Sequence, residues 1–221
     1  MLPLHEGWNR FSVAYLVVAL AAMFVVLPFV DHLAYGNLVE SVAFTIVLLA
    51  AVSAVGGRRG TLVAAALLVV PALTGRWLYH LWPGLVPLEP SLVAAFVFVA
   101  FVVVHLFRFV MSATEVNSEV LCAAISVYLL FAVAWSFLYT IVAAFDPSAF
   151  AFTASSRADN TMRGFTALYF SIEALTTIAF GDILPVSNVA RMLALVEGTT
   201  GIFYMAILVA RLVGLYSSGK S

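Results

Sequence analysis

Long apolar runs separated by short polar patches organise this chain. The runs cover Phe11–Val30, Leu38–Val55, Leu62–Leu81, Leu92–Val110, Val120–Phe145 and Asn188–Tyr216. Each is close to or above the roughly 20 apolar residues that cross a bilayer as a helix. Backbone polar groups in hydrocarbon must be satisfied within the segment, so the pattern predicts six transmembrane helices and an all-α integral membrane protein. Between the fifth and sixth runs, Met162–Thr176 is apolar but too short and interrupted to cross, which predicts a re-entrant helix. It leads into Thr176-Thr177-Ile178-Ala179-Phe180-Gly181-Asp182, a short polar stretch followed by the last span. Irregular backbone at membrane depth survives only where protein or a water-filled cavity satisfies it. A polar loop inside an assembled pore meets that condition.

Composition supports the same compartment: 64% of the residues are hydrophobic and 10% are charged, against about 25% charged in a soluble domain. Arg10, Arg58, Arg59, Arg108, Arg211 and Lys220 fall on one side of a six-span arrangement. Outside the pore segment, which carries Arg157, Arg163 and Arg191, the other side has only Arg76. The positive-inside rule then predicts that both termini are cytoplasmic. The first run is longer than a signal-peptide core and has no strongly charged leader, so it is read as a span. The lone cysteine, Cys122, lies within a span and leaves no intrachain disulfide partner; it reads as a small core residue. No basic patch points to nucleic acid. No internal repeat suggests a transporter of duplicated halves. The tail Ser217–Ser221 is too short to hold a cytosolic ligand-binding domain.

The segment Tyr169-Phe170-Ser171-Ile172-Glu173-Ala174-Leu175, the stretch Thr176–Asp182 and Ile183-Leu184-Pro185 resemble the pore loop of tetrameric potassium channels. That family writes the filter T-T-V-G-Y-G-D. Pro185, Arg191, Gly201 and the run Leu208–Val213 continue the resemblance, which covers residues 119–216. It implies a homotetramer in which four loops meet on a fourfold axis within the lipid bilayer. A prokaryotic plasma membrane and permeant monovalent cations are implied with it. Rings of backbone carbonyls replace the hydration shell of the ion in such filters. By resemblance, the filter residues are Thr177, Ile178, Ala179, Phe180 and Gly181. Potassium would lie at the carbonyls of Thr177, Ile178, Ala179 and Phe180, with the Thr177 hydroxyl closing the inner site. Ile178 and Phe180 would turn away from the axis and pack against the pore helix. Thr176, Glu173 and Asp182 are implied as filter support, the two carboxyl groups sharing one proton.

Ala179 departs from the family, which has glycine there. An L-residue in a left-handed conformation costs about 1–2 kcal/mol. Reduced selectivity, slow conduction or a filter that rests shut are the expectations attached to it. On the last span, Thr200, Gly201, Ile202 and Met205 are candidates for the cavity or gate. Gly198 and Gly201 serve equally as hinge or as small residues that allow close packing. Glu197 lies about two turns into the membrane from Arg191, and an intramembrane charge is a functional candidate by default. It is read as bonding behind the pore helix instead of facing ions.

The division of the chain falls near Thr114–Ser118: residues 1–113 form a four-helix unit and residues 114–221 the pore unit. The first unit resembles a voltage-sensing domain in number and position of helices only. A sensor needs several arginines or lysines at three-residue spacing, each gaining about 2.3 kcal/mol per 100 mV. The fourth run is apolar from Leu92 to His105 and Arg108, so little or no voltage dependence is expected. Arg108 reads as an interfacial anchor and His105 as a packed or interfacial histidine. Arg76, Trp77, Tyr79, His80 and Trp82 read as an interfacial belt, with Pro71 kinking the same helix.

The expected function is passive cation flux, potassium being the expected ion, with no cofactor and no catalytic residue. A non-selective or non-conducting channel-like scaffold or regulatory subunit is the alternative, because Ala179 replaces a filter glycine. An intramembrane enzyme would need a nucleophile–base pair or a metal set on facing helices. His5, His32, His80 and His105 are scattered and suggest none.

Overall fold

A computed structural model describes residues 12–30, 33, 35–55, 59–82, 87–153 and 161–218. Among these the elements run α1 Ser12–Val30, α2 Gly36–Ala54, α3 Arg59–Leu81, α4 Glu89–Ser112, α5 Ser118–Phe145, β1 Phe150–Phe152, α6 Gly164–Thr176, β2 Ile183–Pro185 and α7 Asn188–Ser218. Six of the helices are long and apolar enough to cross a membrane, and α6 is the short re-entrant one. Each predicted span coincides with one of these helices to within a few residues. Arg10, Phe11, Arg58, Arg157, Lys220, His5 and His32 lie outside the described residues, as does the side chain of Arg59.

Local sequence accounts for several boundaries. The Asn117 side chain accepts a hydrogen bond from the Val120 N–H at 2.9 Å, capping the start of α5, as asparagine does at N-caps. Glu89 and Pro90 open α4, where a missing N–H costs no intrahelical bond. Helix α3 runs through Pro71 as a single element.

The first four helices pack beside α5, chiefly through α1 and α4, and α6 is held between α5 and α7. Leu16, Leu20, Val47, Phe98, Val102, Leu130 and Val133 lie in the shared core. Val18 and Phe29 on α1, Leu67 on α3 and Leu195 on α7 are equally apolar but open. Helices apolar on both inward and outward faces suit lipid as the outer solvent. Small residues set two close approaches. A Cβ on Gly75 would lie 2.7 Å from Ser91 Cβ, drawing α3 against α4. On Gly201 it would lie 2.2 Å from the Leu175 carbonyl oxygen, so only glycine lets α7 cross the end of α6 at this distance. Of the two roles open to Gly201, this contact is the packing role, and α7 passes through it as continuous helix.

Two features depart from the sequence reading. Strands β1 and β2 pair antiparallel, with Phe150 opposite Pro185, Ala151 opposite Leu184 and Phe152 opposite Ile183. Three-residue strands carry too little alternation to be read from sequence. The second departure is Arg76. It forms an interhelical ion pair that the sequence did not show, its Nη2 donating to Glu40 at 2.9 Å and its Nε to Ser41 Oγ at 3.2 Å. Its guanidinium lies 4.8 Å from the centre of the Phe44 ring.

Candidate functional site

The loop after α6 has an unusual backbone. Thr177 has φ 59° and Ala179 φ 47°, both left-handed, and Gly181 follows at φ 82°. Left-handed residues thus recur at every second position. Only glycine adopts this region without penalty, so Thr177 and Ala179 each carry about 1–2 kcal/mol of backbone strain. Thr177 also ends α6: its N–H donates to the Ala174 carbonyl at 3.1 Å, and the Ile178 N–H to the Glu173 carbonyl at 3.1 Å. A left-handed residue closing a helix in this way satisfies carbonyls that would otherwise be orphaned. Thr176 stays with the helix, its hydroxyl donating to the Ile172 carbonyl at 2.6 Å.

Behind the loop, Glu173 is 4% exposed. Its Oε1 accepts the Phe180 N–H at 3.1 Å, linking the third turn of the pore helix to the outer part of the loop. The Tyr169 hydroxyl interacts with both the Glu173 and Asp182 carboxyl groups. Asp182 Oδ1 is buried without a hydrogen-bond partner. Burial pushes the Glu173 carboxyl above the usual glutamate range; the Phe180 N–H and Tyr169 pull it back, and the Asp182 charge pushes it up again. The Phe180 ring stacks on Tyr169 at 6.4 Å with the planes 7° apart. Ile178 is 58% exposed in the single chain.

The ribbon holds the outer end. Thr153 lies just beyond β1, and its N–H donates to the Asp182 carbonyl at 2.9 Å. Its hydroxyl contacts the Gly181 carbonyl at 3.0 Å and the Asp182 carbonyl at 3.1 Å. The sequence carried no sign of this residue, which lies 28 positions before Gly181. Arg191 reaches back from α7, its Nε donating to the Pro185 carbonyl at 3.2 Å.

On α7, Ile202 and Met205 are open in the single chain, and Thr200 turns its hydroxyl to the Val196 carbonyl at 2.7 Å. Gly201 faces the pore helix, not this open side. Glu197 is fully buried and contacts Ser171 of α6 and Tyr139 of α5, behind the pore helix as expected. Ser171 and Tyr139 were missed: each is one of several hydroxyl residues on its helix, and none stands out until its neighbours are known. Tyr204 ties the C-terminal half of α7 to α5, its hydroxyl donating to the Ala124 carbonyl at 2.6 Å. At the far end Arg211 Nη2 donates to the Ala113 carbonyl at 2.8 Å.

The start of α6 faces the four-helix unit. Gly164 has φ +52°, and a Cβ there would lie 2.8 Å from Glu40 Oε2. The carboxylate that pairs with Arg76 therefore lies at the N-terminus of the pore helix, where the helix dipole favours a negative charge. His105 stacks on Phe101 at 6.4 Å, and Arg108 is exposed near the end of α4.

A helix–half-helix–loop–helix arrangement with a strained polar loop defines an ion-channel pore unit. The chain belongs to the ion channel family, whose model matches residues 92–218, more than half of its length. Over 46 residues it is 41% identical to the calcium-gated potassium channel TvoK of Thermoplasma volcanium, a stretch covering 21% of this chain and 13% of that protein. No solved structure matches the chain. The chain is thus a helical membrane protein of the potassium channel-like family, which is not a family of enzymes.

Proposed function

We propose that the protein is a passive, potassium-conducting channel formed by four copies, with Thr177–Gly181 lining the axis as a carbonyl filter. The observation that carries this reading is the recurrence of left-handed backbone at residues 177, 179 and 181, directly after a half-helix. Reversing handedness at alternate residues lets successive carbonyls face one side, which a dehydrated cation requires. Potassium is the permeant ligand, held by the carbonyls of Thr177, Ile178, Ala179 and Phe180, and no cofactor takes part. Glu173, Tyr169 and Asp182 brace the loop from behind, the Tyr169 hydroxyl interacting with both carboxyl groups. Thr200, Ile202 and Met205 line the cavity below, and both termini face the cytoplasm. The four-helix unit of residues 1–113 acts as a fixed scaffold with little or no voltage sensing. TvoK is a potassium channel, and the matched stretch supports the same ion here.

Ala179 favours a second reading, a filter that is non-selective or rests shut, because its φ of 47° is a strain that glycine would not carry. Potassium and sodium flux through purified protein in liposomes, with Ba²⁺ as pore blocker, separates the two. Ba²⁺-sensitive flux favouring potassium is expected. Equal fluxes would keep the pore and discard selectivity, and no flux from a confirmed tetramer would favour the shut filter.

A further inference from the structure

Glu197 is a carboxyl group that the proposed conduction path does not use, in a position where an isolated negative charge is costly. It is fully buried on α7, and among the described residues the ion pair that forms is Arg76–Glu40, far from it. Burying an ionised carboxylate without a cation costs several kcal/mol in effective terms, on the order of a whole domain's margin.

Three oxygen–oxygen contacts surround it. Tyr139 Oη meets Glu197 Oε2, Ser171 Oγ meets Glu197 Oε1, and Ser171 Oγ meets the Ala132 carbonyl oxygen at 2.8 Å. Each contact needs one hydrogen to be attractive. Tyr139 and Ser171 supply one each, and a backbone carbonyl supplies none. The third hydrogen has one remaining place, the carboxyl of Glu197. In the arrangement that satisfies all three contacts, Tyr139 donates to Oε2, Glu197 donates through Oε1 to Ser171, and Ser171 donates to Ala132.

We propose that Glu197 is carried as a neutral carboxylic acid and acts as a positioning residue that ties the pore helix to α5 and α7, so that losing its proton lowers ion flux. Ionisation gives the proton to water and leaves two acceptor oxygens facing two hydroxyls. Ser171 must then donate to Glu197, withdrawing its hydrogen from the Ala132 carbonyl and breaking that tie between α6 and α5. The groups facing Glu197 are Tyr139 and, at longer range, Tyr128 on α5, and Ser171 on α6. Glu173, two positions along α6, is turned to the Phe180 N–H instead. On α7 itself, Arg191 is turned to the Pro185 carbonyl and Tyr204 to the Ala124 carbonyl.

Two measurements on the lipid-reconstituted protein test this. Infrared difference spectra between wild type and Glu197→Gln read the protonation state directly and need no ion flux. The carbonyl stretch of an un-ionised acid is expected at neutral pH, lost in the variant, and converted to carboxylate in alkali. A carboxylate signal at neutral pH instead would overturn the proposal. The second measurement is potassium flux against pH. The wild type is expected to lose flux as pH rises above neutrality, while Glu197→Gln, whose amide can donate to Ser171 and accept from Tyr139, keeps near wild-type flux and a flat profile. Glu197→Ala, which leaves buried hydroxyls without their partner, is expected to fall about tenfold or more. Flux in Glu197→Gln as low as in Glu197→Ala, or an unchanged pH profile, would refute the positioning role. The flux readout rests on the channel reading. If no ion passes, amide hydrogen-exchange protection along α6, taken relative to the base-catalysed intrinsic rate, takes its place: it should fall in alkali in the wild type and not in Glu197→Gln, and equal protection in both counts against the role.

Discussion

At the scale of single residues, backbone handedness in the loop after α6 dominates. Ala179 adopts a positive φ that its methyl group opposes, so Ala179→Gly should relieve about 1–2 kcal/mol per chain. The expected result is higher potassium flux with at least the wild-type preference over sodium; identical rate and selectivity would show that the strain has no functional weight. Glu173 is the second residue to test. Its carboxyl is raised by burial, so its neutral form contributes stability that is fully present below the ordinary glutamate value. That contribution is lost as pH rises through the raised folded value. Glu173→Gln has no proton to lose in this range and should flatten the pH dependence of thermal stability relative to wild type. Parallel profiles would remove Glu173 as the source. Glu173→Ala should do more, because the Phe180 N–H then loses its acceptor, at about 1–3 kcal/mol.

Elements meet through small contacts whose geometry ranks the consequences of change. A methyl on Gly201 would fall 2.2 Å from the backbone oxygen of Leu175, whereas one on Gly198 would fall 3.1 Å from that of Ala174. Backbone at the end of α6 cannot move without moving the filter that follows. Gly201→Ala should therefore destabilise by about 1–3 kcal/mol, the usual range for overpacking, and Gly198→Ala by less. Thermal unfolding in detergent reads this order, and a milder effect at Gly201 would mean that α7 can shift outward freely. The ribbon β1–β2 works at the same scale: it brings Thr153 to the outer end of the loop, so Thr153→Val should loosen the filter mouth while leaving the helices intact.

Across the whole molecule, the four-helix unit meets the pore helix through the Glu40–Arg76 pair beside Gly164. Both side chains are largely shielded, at 16% and 19% exposure, so Arg76→Met leaves a nearly buried carboxylate without its cation. A loss of about 1.5–3 kcal/mol in stability is expected, as for hydrogen bonds to charged groups. Arg76→Lys should restore only part of it, since an ammonium lacks the planar donor fork. Voltage response belongs to this scale as well. Arg108 is exposed near one end of α4, and His105 is packed on Phe101, so no ladder of charge is available to cross the field. Conductance should change only shallowly with voltage, and Arg108→Gln should leave that relation unaltered; a steep relation abolished by Arg108→Gln would reverse the assignment.

The six spans were legible in the sequence because each depends on local pattern. Six apolar runs of membrane length must be helices in lipid, and Thr176–Asp182 is a contiguous motif whose chemistry lies in its own backbone. Even the buried place of Glu197 could be read, since an unpaired charge two turns into a span has few tolerable locations. What the tertiary structure alone decided involves partners far apart in the chain. Glu40 finds Arg76 and the start of α6, Thr153 finds Gly181, and Tyr139 and Ser171 find Glu197. No periodicity encodes these meetings. They follow from how α5, α6 and α7 cross and from how closely glycine lets them approach. The same crossing sets the hydrogen count around Glu197, because whether its carboxyl holds a proton depends on which oxygens three separate helices bring within reach.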